Sequence, residues 1–137
     1  MCGIAGVYAF GSQAAAVAQG QLVAMGNAIA HRGPDGDGYW ISASGRLGFA
    51  HRRLAIIDPS SLAAQPMSDP SARYQIVFNG EIYNHAMLRK ELEDLGHTRW
   101  KTDHSDTEVV LQAFARWGID CLARLRGMFA FALWDDH

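Results

Sequence analysis

Apolar residues recur at two spacings along this chain, and the switch between them predicts the order of its elements. Residues 3–10, GIAGVYAF, form a continuous apolar run of strand length. After a Gly11–Ser12 break, residues 13–30 are rich in Ala and place Leu22, Met25 and Ile29 at helical spacing, so a helix is expected there. His31 to Gly38 crowds Gly33, Pro34, Gly36 and Gly38 around Asp35 and Asp37, a composition suited to a tight charged loop. Three short strands are expected next, over 38–43, 46–51 and 53–57. A polar surface loop follows over 58–73, carrying Pro59, Pro66 and Pro70.

The second half repeats the contrast. YQIVF, 74–78, has the β-branched and aromatic content of a buried strand and runs directly into Asn79–Gly80. Asn84 reads as a helix N-cap ahead of Leu88, Leu92 and Leu95, with Gly96 as the stop. Ser105 and Glu108 have capping-box spacing at the head of a second helix, which Val109, Leu111, Phe114 and Trp117 continue to Gly118. A short helix near 120–126 leads to MFAFALW, 128–134, read as another buried strand. Runs of strands mixed with separated helices predict an α+β layered fold without internal repeats.

Composition narrows the class. A chain of 137 residues, 49% hydrophobic, supports one domain or part of one. Its formal charge of -2, without long like-charged runs, asks for neither nucleic acid nor an anionic membrane. No apolar run reaches bilayer length and no basic segment precedes the N-terminal apolar stretch, so a cytoplasmic setting is expected. Two cysteines, Cys2 and Cys121, suit neither a disulfide framework nor a CxxC site. The six histidines form no HxxxH or HExxH pattern, so no metal site is expected.

Cys2 is the residue that invites chemistry. Loss of Met1 leaves its thiol on the same residue as a free α-amino group, which titrates near neutrality and can serve as the proton acceptor. A small filler at a frayed terminus is the plain alternative. Cys121, in a short apolar segment, reads as a buried structural residue. Asn79–Gly80 after a strand is first a hairpin turn; the same tight turn aims a side-chain amide and a backbone N–H at one point, as an oxyanion hole needs. Arg53 suits a carboxylate by its planar fork, though arginines on exposed strand edges are common. Asp106 either complements the helix dipole or holds an ammonium group.

Taken in order, MCGI at residues 1–4, HRGPD at 31–35, HRRLAIID at 51–58, FNGEIYN at 78–84 and SDTE at 105–108 closely resemble the class II glutamine amidotransferases. Within them the chain is most similar to the glutaminase domain of the glutamine-hydrolysing asparagine synthetases. The resemblance implies an N-terminal nucleophile hydrolase fold, a four-layer αββα sandwich of antiparallel sheets, with Cys2 on the first strand. It implies that Cys2 attacks the glutamine side-chain amide and that Asn79 and the Gly80 N–H hold the oxyanion. Arg53 grips the α-carboxylate and Asp106 the α-ammonium, with Leu54, Ala55, Ile56, Ile57 and Glu81 lining the pocket.

The resemblance further implies no cofactor within residues 1–137. It places ATP and Mg2+ in a C-terminal synthetase domain, absent here, that joins the ammonia to aspartate, and it suggests a homodimer. Glutaminase domains of this family continue past the strand ending near Trp134, so the chain is expected to be C-terminally truncated, with an apolar edge at MFAFALW that favours assembly. Two alternatives stay open: transfer to another acceptor in antibiotic, polysaccharide or cell-envelope synthesis, and a catalytically silent glutamine-binding module.

Overall fold

The N-terminal apolar run forms β1 (Gly3–Tyr8), which joins β2 (Gly36–Ile41) and β3 (Leu47–Arg53) in a sheet of order β1-β3-β2. The computed structural model, which describes residues 1–136, contains a second sheet of β4 (Met67–Ser68), β5 (Tyr74–Ile82) and β6 (Gly127–Asp135), with β5 central. Every strand pair is antiparallel.

Side-chain alternation along the central strands stacks these sheets face to face. Leu47 and Phe49 of β3 meet Val77 of β5 between the sheets, with Ile4, Trp40 and Trp134 around them. On the outer face of the first sheet, Ala50 packs with Val17 and with Leu22 of α1 (Gln19–Ala28). The alternate residues of β5, Ile76, Phe78 and Ile82, pack with Leu88 and Leu92 of α2 (His85–Asp94) and Val109 and Val110 of α3 (Asp106–Trp117). Each fully buried aliphatic side chain contributes roughly 1.5–3 kcal/mol, so these three apolar layers hold the sandwich together. The architecture is therefore the expected αββα stack, and Cys121 is fully buried in the layer under α2 and α3.

Several local expectations give way to tertiary contacts. The helix expected over 13–30 is shortened to α1 because Val17 turns into the core and its N–H bonds to the Gly45 carbonyl at 2.8 Å. The two strands expected over 46–51 and 53–57 are one strand, β3, and residues 54–57 leave the sheet. The loop over 58–73 is not wholly on the surface: it contains a turn of 3-10 helix at 61–63 and the short strand β4, and it buries Ala63, Gln65 and Met67. Ser105 starts α3, but Glu108 does not close a capping box. Its carboxylate instead accepts from the Lys101 and Thr102 N–H groups at 2.7 and 2.8 Å and from the Thr102 hydroxyl. The segment near 120–126 is a 3-10 helix, Gly118–Arg124. The final strand is partly exposed rather than buried, with Met128 67% and Phe129 36% accessible.

Candidate active site

Cys2 immediately precedes β1, whose first residue, Gly3, lies opposite Arg52 of β3. That register brings the thiol to the end of β3, where Sγ lies 3.4 Å from the Leu54 N and 3.6 Å from the Leu54 carbonyl oxygen. The HRGPD loop braces this corner. Arg32 Nε donates to the Cys2 carbonyl at 3.0 Å and Asp35 accepts from the Ala55 N–H at 2.9 Å. A Cβ on Gly33 would come within 2.5 Å of the Arg52 and Arg53 backbone, so only glycine allows this close approach.

Facing this corner, β5 runs straight through Asn79–Gly80. Asn79 pairs with Ala130 and Gly80 with Phe129 of β6, so neither the hairpin turn nor a tight-turn oxyanion site exists there. The second sheet supplies a different device. β4 is two residues long and pairs only with Gln75 and Ile76, leaving the rest of that edge of β5 without a strand partner. The Phe78 N–H bonds to Gln65 Oε1 at 2.6 Å and the Ile82 N–H to Asp106 Oδ2 at 3.0 Å. Strand N–H groups alternate in direction, so Gly80, midway between them, turns its N–H to the same edge. It points there between two capped neighbours, with no strand paired across from it.

These pieces meet in one cleft that opens to solvent. Cys2, Arg53 and the backbone from Leu54 through Ile57 form one wall; Gly80, Glu81 and Asp106 stand across from them. Every expected site residue except Asn79 lines this space. Asn79 lies in the adjoining part of β5, with Oδ1 buried and unbonded among the described residues. Arg53 is anchored by a hydrogen bond from its guanidinium to the Asp58 carbonyl. Asp106 is 6% exposed, and burial raises its pKa above the ordinary carboxylate value despite hydrogen bonds from Ile82 and Thr107 that favour the charged form.

Asp58, Gln65, Ser105 and Thr107 also line the cleft, although sequence reasoning passed over them. A signal existed for Gln65: the loop assigned to the surface contains Leu62, Ala63, Ala64 and Met67, more apolar content than a solvated excursion needs. Among the described residues, no group of three or more His, Cys, Asp and Glu could hold a metal ion, and no helix is long and apolar enough to cross a membrane.

The fold is thus two stacked antiparallel sheets between helices, with a cysteine directly after Met1 and a cleft shared by the two sheets. The glutamine amidotransferase domain model matches residues 1–137, and the chain belongs to that family. It is 45% identical, over its full length, to asparagine synthetase [glutamine-hydrolyzing] 1 of Bacillus subtilis and 38% identical to asparagine synthetase B [glutamine-hydrolyzing] of Escherichia coli. It spans only 21% and 24% of those proteins, and is thus homologous to their glutaminase region. The solved glutamine phosphoribosylpyrophosphate amidotransferase of B. subtilis shares the fold, with a TM-score of 0.76 at 20% identity over 97% of this chain and 35% of that one.

Proposed function

We propose that this chain hydrolyses the side-chain amide of glutamine to glutamate and ammonia through a thioester on Cys2. The observation that carries the reading is the shared cleft. A thiol, a guanidinium, a buried carboxylate and an open strand N–H line one space, and free glutamine offers an electrophilic carbon, a carboxylate, an ammonium and a carbonyl oxygen to match them.

Removal of Met1, itself 65% exposed, makes the Cys2 amine the proton acceptor for the neighbouring thiol. The thiolate attacks the side-chain carbonyl carbon. Negative charge then develops on the carbonyl oxygen and is met by the Gly80 N–H and the Asn79 carboxamide, whose rotation into the cleft is opposed by no hydrogen bond to Oδ1. The intermediate collapses, ammonia leaves with the proton carried by the amine, and water cleaves the thioester to glutamate. Arg53 holds the substrate carboxylate and Asp106 its ammonium, while Leu54 to Ile57 and Glu81 shape the pocket. The hydrolysis itself uses no cofactor.

The names of the relatives support a destination for the ammonia. A synthetase domain outside these residues uses ATP and Mg2+ to activate aspartate and convert it to asparagine. Glutamate release from glutamine, and asparagine formation when aspartate and ATP are added to the protein as naturally encoded, test the two halves separately. Cys2→Ala is expected to reduce glutamate release to background while glutamine binding stays measurable by calorimetry; turnover surviving that substitution assigns the nucleophile elsewhere. Intact mass before and after a glutamine-like electrophile reads both Met1 loss and thiol labelling.

A further inference from the structure

We propose that Gln65 is a positioning residue for the hydrolytic site, an inference that rests on the glutaminase reading above. Its side chain ties together the two elements that carry the recognition groups. The carboxamide oxygen accepts from the Phe78 N–H of β5 at 2.6 Å, and the carboxamide nitrogen donates to Thr107 Oγ1 of α3 at 3.2 Å. Phe78 directly precedes Asn79–Gly80, and Thr107 directly follows Asp106. Gln65 is 8% exposed, so both bonds are made out of water, where leaving one unmade is costly.

The loop that carries this side chain is itself fixed. The Gln65 carbonyl fits against Gly38 of β2, where a Cβ would approach to 2.0 Å. Gln65 therefore connects β2 of one sheet, β5 of the other and the start of α3.

The consequence follows from how the edge of β5 is built. A longer β4 would cover the Phe78, Gly80 and Ile82 N–H groups alike. Because β4 is short, the side chains of Gln65 and Asp106 take the two outer donors and leave the middle one open. The strand is pinned on both sides of the proposed oxyanion donor, which is how a donor is held in place before charge develops. Without Gln65 the Phe78 N–H must find water or draw the strand towards another acceptor, and either response moves Gly80. Cys2 and Arg53 stand on the other sheet, and Asp106 keeps its own bond to Ile82, so substrate grip is retained.

The test compares Gln65→Met, which keeps length and removes both hydrogen bonds, with Thr107→Val and Thr107→Ser in the naturally encoded protein. Gln65→Met is expected to lower kcat for glutamate release about 10–100-fold while KM for glutamine changes less than about threefold. Thr107→Val is expected to lower kcat by a smaller factor, and Thr107→Ser, which keeps the hydroxyl, to restore it. The Thr107 pair decides the matter if Gln65→Met fails to fold. Unchanged kcat in Thr107→Val, or a loss confined to KM, overturns the positioning role. Wild-type protein that releases no glutamate overturns the glutaminase reading instead.

Discussion

In the proposed function, Asp106 serves recognition at the expense of stability. Its carboxylate is buried against the Ile82 N–H, and desolvation raises its pKa, so ionising it at neutral pH opposes folding in the empty protein. A raised carboxylate pKa contributes stability below the unfolded value that is lost as pH climbs through the folded one. Asp106→Asn retains an oxygen for Ile82 and removes the charge. It is therefore expected to match or exceed the wild-type melting temperature while KM for glutamine rises about 10–100-fold, the loss of one buried charged hydrogen bond. A lower melting temperature with unchanged KM assigns Asp106 to the architecture alone. Calorimetric melting and steady-state kinetics on the same preparation separate the two.

Among the elements, β5 carries the most information. It is a strand paired with β6 along its full length and with β4 over only two residues, so one edge is structural and the other is a row of donors. Gly80 is required where β5 and β6 approach closely, because a Cβ there would meet the Met128 carbonyl oxygen at 2.3 Å and Phe129 Cα at 2.5 Å. Gly80→Ala is expected to push β5 and β6 apart, destabilise the domain by on the order of 2 kcal/mol and abolish glutamate release. Urea unfolding monitored by tryptophan fluorescence measures the first effect. The HRGPD loop works at the same scale: Arg32, Gly33 and Asp35 lock the Cys2 corner to the end of β3 without lining the cleft.

At the scale of the whole molecule, the space between the sheets holds one titratable side chain of consequence. His51 of β3 is 1% exposed, and burial lowers its pKa to about 4, against a raising hydrogen bond to the Phe78 backbone and with a further lowering contribution from Arg53. The folded protein thus keeps His51 neutral, whereas the unfolded chain takes up a proton near the ordinary value of 6.5. Between those values stability falls as pH falls, by on the order of 3 kcal/mol over the window. Urea midpoints at pH 7 and pH 4.5 measure the slope. His51→Asn is expected to flatten it, and an unaltered slope in that variant removes His51 as the cause.

Legibility in the sequence tracked the range of the interactions involved. The cysteine after Met1, the apolar periods of β1, β5, α2 and α3, and the buried state of Cys121 depend on residue identity and local spacing, so the sequence alone determined the layered class and named the candidate residues that the structure brings to one cleft. Asn79–Gly80 looked like a turn because the dipeptide suits one. The nine-residue pairing with β6 overrode that preference, since cross-strand bonding to a segment nearly fifty residues away is invisible to a local pattern. Glu108 likewise had capping spacing but found better donors in the Lys101–Thr102 backbone. The open Gly80 N–H, the buried Gln65 and the raised pKa of Asp106 were decided only by the tertiary structure. Each depends on what a distant segment does to desolvate, cap or leave bare a polar group, and no short stretch of sequence contains that neighbour.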